Sequence, residues 1–464
     1  MSILLPINGS VTHDNHDSWY SSLKDNFKKK SRWQKAAIIG CGCLIAAGGS
    51  YCVFKSLGQQ VPVIPPISSN DKPNDPDSGD EQGQQHLKEE PEDAPASTKE
   101  SQDDGGDKST ACLSYDIGSH SIEGRRHSQQ DAHQHIQLNN GNEIIVVCDG
   151  HGCDIDHKLW TKLSEFSEDT LKKYAESGVN LGEYENEHGV IDCAAVVSSV
   201  AVKTIVTHLQ QHLTDVSDPV KCIHDAILHA ENTLHQISGS PYNEDGFTVY
   251  HSVGWNAGTT VLSGIFDKTT STVTVAWAGD SRAVLIRGGK TIWSSTDHKP
   301  DNENEVERIE RVRASYKNKH GKECPIKING KRVDDLAVSR ALADFYLKDK
   351  PSQREVVDVL TCQPECVQIK TEPGDVWVFS CDGVYECSST TYRRPYKCFD
   401  DERIADFITE RLATPSADLA KNLVQQAFDD GSQDNISAFV IKIPGEPVAN
   451  TPLEIISAVD FAKE

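Results

Sequence analysis

Five short runs between residues 143 and 443 are apolar at almost every position: EIIVVCDG, TVLSGIF, TVTVAWAGDSRAVLIRGG, DVWVFSCDG and ISAFVIKI. A strand with one face in water alternates apolar and polar residues, whereas an unbroken apolar run must be covered on both faces. These strands therefore demand layers on either side of a sheet. Apolar residues recurring at three and four predict helices over 193–212, 218–238, 303–314 and 402–428. Strands and helices come in blocks without strict βαβ alternation, which favours an α+β sandwich over a doubly wound sheet. No repeat at solenoid periods is present. The patterned region, 111–445, is expected to be one folded domain, followed by a tail over 446–464.

The chain ahead of that region has a different character. Residues 36–54 carry no charged group, and at about 1.5 Å per residue a helix of that length matches the hydrocarbon core of a bilayer. Lys28, Lys29, Lys30, Arg32 and Lys35 precede the run, with Trp33 at the interface, and Lys55 follows it. The expectation is a single transmembrane helix contacting the lipid bilayer through 36–54, behind a basic polar head, 1–35, and making the protein a single-pass membrane protein. Residues 56–110 hold seven Pro, thirteen Asp or Glu and four Lys, too little apolar surface to offset the entropy of ordering. The stretch 55–110 is therefore expected to be a disordered acidic linker.

A formal net charge of −24 repels a polyanionic backbone and argues against nucleic acid as a partner. Fourteen Cys in 464 residues show no pairing rhythm, which fits a reducing compartment.

Three of the apolar runs are bordered by an acidic residue. Asp149 follows EIIVVC and precedes Gly150, His151 and Gly152; Asp382 follows DVWVFSC; Asp434 precedes Asn435 and ISAFVIKI. One Asp at a strand end is ordinary turn chemistry. Three gathered at one sheet edge would repel one another unless a divalent cation neutralised them. Oxygen-only ligation suits Mg²⁺ or Mn²⁺ better than zinc. His120, His127, His133 and His135 lack companion Cys pairs at zinc spacing.

With these residues in place the chain resembles the metal-dependent type 2C Ser/Thr protein phosphatases, the PPM family. The resemblance covers roughly 112–443 and is carried, in family order, by Arg125-Arg126 with Gln130-Asp131-Ala132-His133; Asp149-Gly150-His151-Gly152; Ala257-Gly258-Thr259-Thr260; Ala278-Gly279-Asp280-Ser281-Arg282; Asp297-His298-Lys299-Pro300; Leu336 to Leu342; Cys381-Asp382-Gly383; and Ser432-Gln433-Asp434-Asn435. It implies a sandwich of two antiparallel β-sheets flanked by helices, with two Mn²⁺ or Mg²⁺ ions at one end. By the same resemblance Asp149 bridges both ions, Gly150 offers its carbonyl, Asp382 and Asp434 complete the first shell, and Asp131 acts through bound water. Arg126 grips the phosphate, His151 protonates the leaving oxygen, and Asp280 lies where a further, weaker ion binds. The implied reaction is hydrolysis of phosphoserine or phosphothreonine in protein substrates by a metal-activated water.

Four positions depart from the family pattern. Gln130 stands where many members have Glu, and its lack of charge is expected to weaken the second ion. Cys153 and Ala343 replace glycines, and Glu386 replaces an Asp. A catalytically silent, membrane-anchored binding module is the competing reading, since fold does not imply activity; retention of Asp149, Asp382 and Asp434 speaks against it. The side of the membrane is left open. Five positive charges before the apolar run and one after it send the domain across the bilayer, while eleven Cys within 111–444 fit a reducing cytosol.

Overall fold

A computed structural model describes residues 115–152, 162–186, 188–213, 218–238, 253–350, 355–356, 358–386, 398–446 and 451–463. The head, the apolar run 36–54, the linker and Cys153 lie outside the described residues. In chain order the strands are β1 (Asp116–Ile122), β2 (Asp131–Gln137), β3 (Glu143–Gly152), β4 (Ala257–Thr259), β5 (Val261–Asp267), β6 (Thr272–Ala278), β7 (Arg282–Arg287), β8 (Lys290–Ser294), β9 (Ile328–Asn329), β10 (Arg332–Val333), β11 (Leu342–Ala343), β12 (Asp349–Lys350), β13 (Glu355–Val356), β14 (Glu365–Lys370), β15 (Val376–Ser380), β16 (Ile436–Lys442) and β17 (Ile455–Asp460). They form a five-stranded sheet, β1-β16-β15-β7-β8, and an eight-stranded sheet, β11-β4-β3-β5-β6-β14-β17 with β2 also paired to β3. Every pairing in both is antiparallel.

The unbroken apolar runs are explained by what covers each face. Ile145, Val147, Leu262 and Phe266 of the larger sheet meet Leu285, Trp377, Phe379 and Phe439 of the smaller in one buried cluster. The intervening residues Ile144, Val146 and Cys148 pack under the Cys193–His212 and Pro219–Ser238 helices. Val376, Val378, Ala438 and Val440 do the same beneath Asp401–Thr409 and Ser416–Asp429. Helices thus flank two stacked sheets, as the sequence led us to expect. Among the described residues Cys193–His212 is the one helix long and apolar enough to cross a membrane, and most of it is buried in this core.

Several boundaries move. The stretch 402–428 is two helices, because Pro415 has no N–H to donate and disfavours a helical Thr414; it stands at the start of Ser416–Asp429. The helix predicted over 303–314 continues to His320, where Gly321 at φ +67° ends it. The run 272–289 is split by a turn at 279–281 into β6 and β7. Cys148, Cys193, Cys222, Cys324, Cys362, Cys366 and Cys381 are free, in keeping with a reduced chain, but Cys398 is disulfide-bonded.

The largest correction concerns the tail, which does not end the domain at 445. β17 lies within it and pairs with β14 from Glu365↔Asp460 to Ile369↔Ile455. Its last residue also anchors a buried ion network. The Arg340 guanidinium, shielded from solvent, donates to Asp460 Oδ1 at 2.8 Å and Glu305 Oε1 at 2.6 Å, while Glu305 Oε2 accepts from Arg308 at 2.8 Å. Burial opposes the charge on Glu305, but Arg308 and Arg340 outweigh it and hold that carboxyl well below its usual range. Removing one partner of such a network strands a buried charge. Asp460→Asn is accordingly expected to cost about 1.5–3 kcal/mol in urea unfolding, whereas a passive tail would leave the midpoint unchanged.

Candidate metal centre

The register of β2 on β3 sets Asp131 opposite Asp149. Asp149 falls where β3 changes partners, pairing with β5 up to Val147 and with β4 from Gly150. Its backbone is clamped across that gap: its N–H donates to Thr260 Oγ1 at 3.1 Å and its carbonyl accepts from Thr260 N at 2.9 Å, with Ser281 Oγ 2.7 Å from the Thr260 hydroxyl. Asp382 opens a 3₁₀ turn, Asp382–Val384, directly after β15 and Cys381. A Cβ on Gly383 would lie 2.0 Å from the Asn435 carbonyl, so only glycine lets this turn sit against the Asp434-Asn435 segment. Asp131, Asp149 and Cys381 present ligand atoms within 4.8 Å of one another. Gly150 is held between Asp149 and His151 by a 3.3 Å bond from its N–H to the Gln130 carbonyl.

These carboxylates stand almost without counter-charge. Burial, followed by the charges of Asp131, Asp434 and Asp280, drives the Asp149 carboxyl well above its ordinary range. Asp382 is raised in the same way by burial and then by Asp149, Asp280, Glu386 and Asp434. Asp131 is pushed up to about 6 by burial, in spite of a 2.6 Å bond from Ser437 Oγ to its Oδ2. Asp131 Oδ1 and Asp382 Oδ1 are both buried with no hydrogen-bond partner. Orphaned hard oxygens among like charges are the donor set of a divalent cation, and the residues present fit one.

The remaining expected residues lie around this cluster. The partly exposed Arg126 donates from Nη2 to Asp434 Oδ2 at 2.7 Å. Asp280 is paired to Lys299, whose charge is strengthened well above its usual range by Asp280 against the effect of burial. His151 Nε2 is 2.7 Å from Asp344 Oδ2. Lys299 was inside a motif read from the sequence and Asp344 just beyond one, but neither was given a role. Their partners are 19 and 193 residues away, and no local pattern marks such pairs. Gln130 differs from expectation. Its side-chain amide donates to Asp192 Oδ1 and Oδ2 at 3.2 and 3.3 Å, and Asp192 in turn caps the Cys193–His212 helix at Ala195 N.

The family profile described as Protein phosphatase 2C matches residues 161–436. The chain belongs to the protein phosphatase 2C family. It is similar to Probable protein phosphatase 2C 69 of Arabidopsis thaliana, with 31% identity over 62% of this chain and 69% of that protein. It also resembles Probable protein phosphatase 2C 8 of Oryza sativa subsp. japonica, with 32% identity over 37% of this chain and 39% of that protein. The chain spans about two fifths of the length of the first curated relatives it matches. A phosphatase from a pathogenic strain of Toxoplasma gondii aligns in structure over 74% of this chain and 99% of its own, at 20% identity and a TM-score of 0.45. The profile match contains Asp280, Asp382 and Asp434 and begins after Asp131 and Asp149; the two groups are joined by bonds from Ser437 Oγ to Asp131 Oδ2 at 2.6 Å and from Gln130 N to Asn435 Oδ1 at 2.9 Å.

Two outcomes follow for the protein in EDTA. The folded Asp131 carboxyl binds its proton more tightly than the unfolded one, so stability is fully present below about pH 4 and is lost as pH rises through about 6. The loss by pH 7 is on the order of 3 kcal/mol, and Asp131→Asn should remove that part of the pH dependence in thermal melts. Gln130→Glu should bring a carboxylate against Asp192 and lower stability by about 1–3 kcal/mol in the same assay. Unchanged stability with a leftward metal titration would instead support the simpler view of Gln130 as a missing metal-side charge.

Proposed function

We propose that the domain hydrolyses phosphoserine and phosphothreonine in proteins, using two Mn²⁺ or Mg²⁺ ions. The observation that carries this reading is the convergence of Asp131, Asp149, Asp382 and Asp434, short of counter-charge, with two buried oxygens unpartnered. Asp149, Asp382, Asp434, Asp131 and the Gly150 carbonyl would hold the ions. When bound, such a pair supplies positive charge to the phosphoryl group and lowers the pKa of water enough for attack near neutral pH.

The chain's own groups complete the task. Arg126, at the rim of the cluster, binds the non-bridging phosphate oxygens through its planar fork of donors, exchanging Asp434 for substrate. His151 gives a proton to the serine or threonine oxygen as its bond to phosphorus breaks and the bond from the water oxygen forms; the proton released by that water restores the balance. Burial disfavours charged His151, but Asp344 overcomes this and raises its pKa above the ordinary value, a shift that favours the acid form. Asp280 marks a further, weaker ion site, where an ion would have to displace Lys299. Residues 36–54, uncharged and flanked by basic residues, are proposed to anchor the chain in a bilayer, with the acidic stretch 55–110 as a spacer.

The full chain in Mn²⁺ should release phosphate from phosphoserine and phosphothreonine peptides, and EDTA should stop it. Asp149→Asn and Asp382→Asn should abolish turnover with the fold retained by circular dichroism. Arg126→Ala should weaken phosphate engagement by about 1.5–3 kcal/mol. Turnover persisting in EDTA with metal shown to be absent would overturn the two-ion scheme, and phosphopeptide binding without turnover would instead favour a silent binding module.

A further inference from the structure

His151 has a buried partner whose placement needs an explanation of its own. Asp344 is 1% exposed, its Oδ2 lies 2.7 Å from His151 Nε2, and its Oδ1 is buried without a hydrogen-bond partner. The backbone that presents it is strained. Ala343 and Asp344 have φ of +60° and +52°, a region that costs a residue with a side chain roughly 1–2 kcal/mol. Such strain persists where surrounding structure enforces it, commonly at functional sites.

Here the enforcement can be named. Asp344 N donates to the Ala257 carbonyl at 3.0 Å. Ala343 N donates to Glu231 Oε2 at 2.7 Å, and Glu231 Oε1 accepts from Lys348 Nζ at 2.6 Å. In the sheet, His151 of β3 and Ala343 of β11 are both register partners of Gly258 on the short strand between them. A Cβ on Gly258 would lie 1.9 Å from Asp344 Oδ2 and 2.7 Å from His151 Nε2. Glycine therefore opens the path by which the carboxylate reaches the imidazole across β4.

We propose that Asp344 is the positioning residue for His151: by engaging Nε2 it fixes the orientation of the ring and leaves Nδ1 to meet the leaving oxygen of the substrate. This rests on the phosphatase reading above. An acid matters most when the departing oxygen is strongly basic, as in serine, and least when it is a good leaving group, as in p-nitrophenyl phosphate. Asparagine keeps the shape of Asp and tolerates positive φ, so Asp344→Asn should fold.

Full chain in Mn²⁺ is compared on a phosphoserine peptide and on p-nitrophenyl phosphate. Asp344→Asn should lower kcat on the peptide roughly 10- to 100-fold with KM within about threefold, and lower kcat on the aryl ester by less than about threefold. In a His151→Ala background the same substitution should cause no further loss on the peptide. Equal losses on both substrates, or a full additional loss in the double variant, would overturn the assignment and leave Asp344 a structural residue. A parent protein that turns over neither substrate would overturn the phosphatase reading, and this proposal with it.

Discussion

Mutual repulsion among buried carboxylates is the constraint around which this domain is arranged. A carboxylate left in an apolar interior normally takes a proton or finds a cation, and here burial first, then the charge of neighbouring carboxylates, raises the pKa of Asp131, Asp149 and Asp382. The energy needed to hold them must come from elsewhere in the fold. It is supplied by two sheets whose strands are covered on both faces, so that Asp149, where β3 changes partners, and Asp382, just past β15, are carried by strands that cannot shift without opening an apolar cluster. A rigid frame under an electrostatically strained edge gives a site that favours cations before any arrive.

The cations that are present in the chain are placed with the same economy. Lys299 sits on Asp280 and Arg126 on Asp434, both at the margin of the cluster, while among the described residues Asp131 Oδ1 and Asp382 Oδ1 have no hydrogen-bond partner. The more deeply buried guanidiniums of Arg308 and Arg340 are instead matched to Glu305 and Asp460 well inside their own network. Two electrostatic regimes therefore coexist: satisfied ion pairs that hold elements together, and an unsatisfied group that can be completed by a ligand.

Which of these features could be read from the sequence depends on how local their causes are. Asp149, Asp382 and Asp434 were legible because each borders a run apolar enough to demand burial on both faces. Strands β1 and β2, with the sequences DIGSHSI and DAHQHIQ, were not, since they lie at sheet margins where half-buried polar residues blur any period. β17 was missed for a similar reason, being a short strand at one edge of its sheet. The Gln130 bond to Asp192 and the Asp344 bond to His151 join residues 62 and 193 positions apart. Such contacts are decided by register and crossover, which composition and spacing do not encode. The family resemblance supplied Arg126, Asp131 and Asp280, though not the ion pairs in which Arg126 and Asp280 are found.

The pairing of β1 with β16 joins Asp116 to Lys442, and β17 closes the larger sheet from beyond that point. Each sheet therefore needs strands from late in the chain, and the smaller one needs both ends of the domain at once. Contacts this distant in sequence make for slow folding, because the intervening loop must close before they can contribute. On a ribosome the smaller sheet could not be completed until β16 had emerged, nor the larger one until β17 had. Asp131, Asp149, Asp382 and Asp434 would meet only then, so the nascent chain is spared the assembled carboxylate cluster until the frame that can hold it is whole.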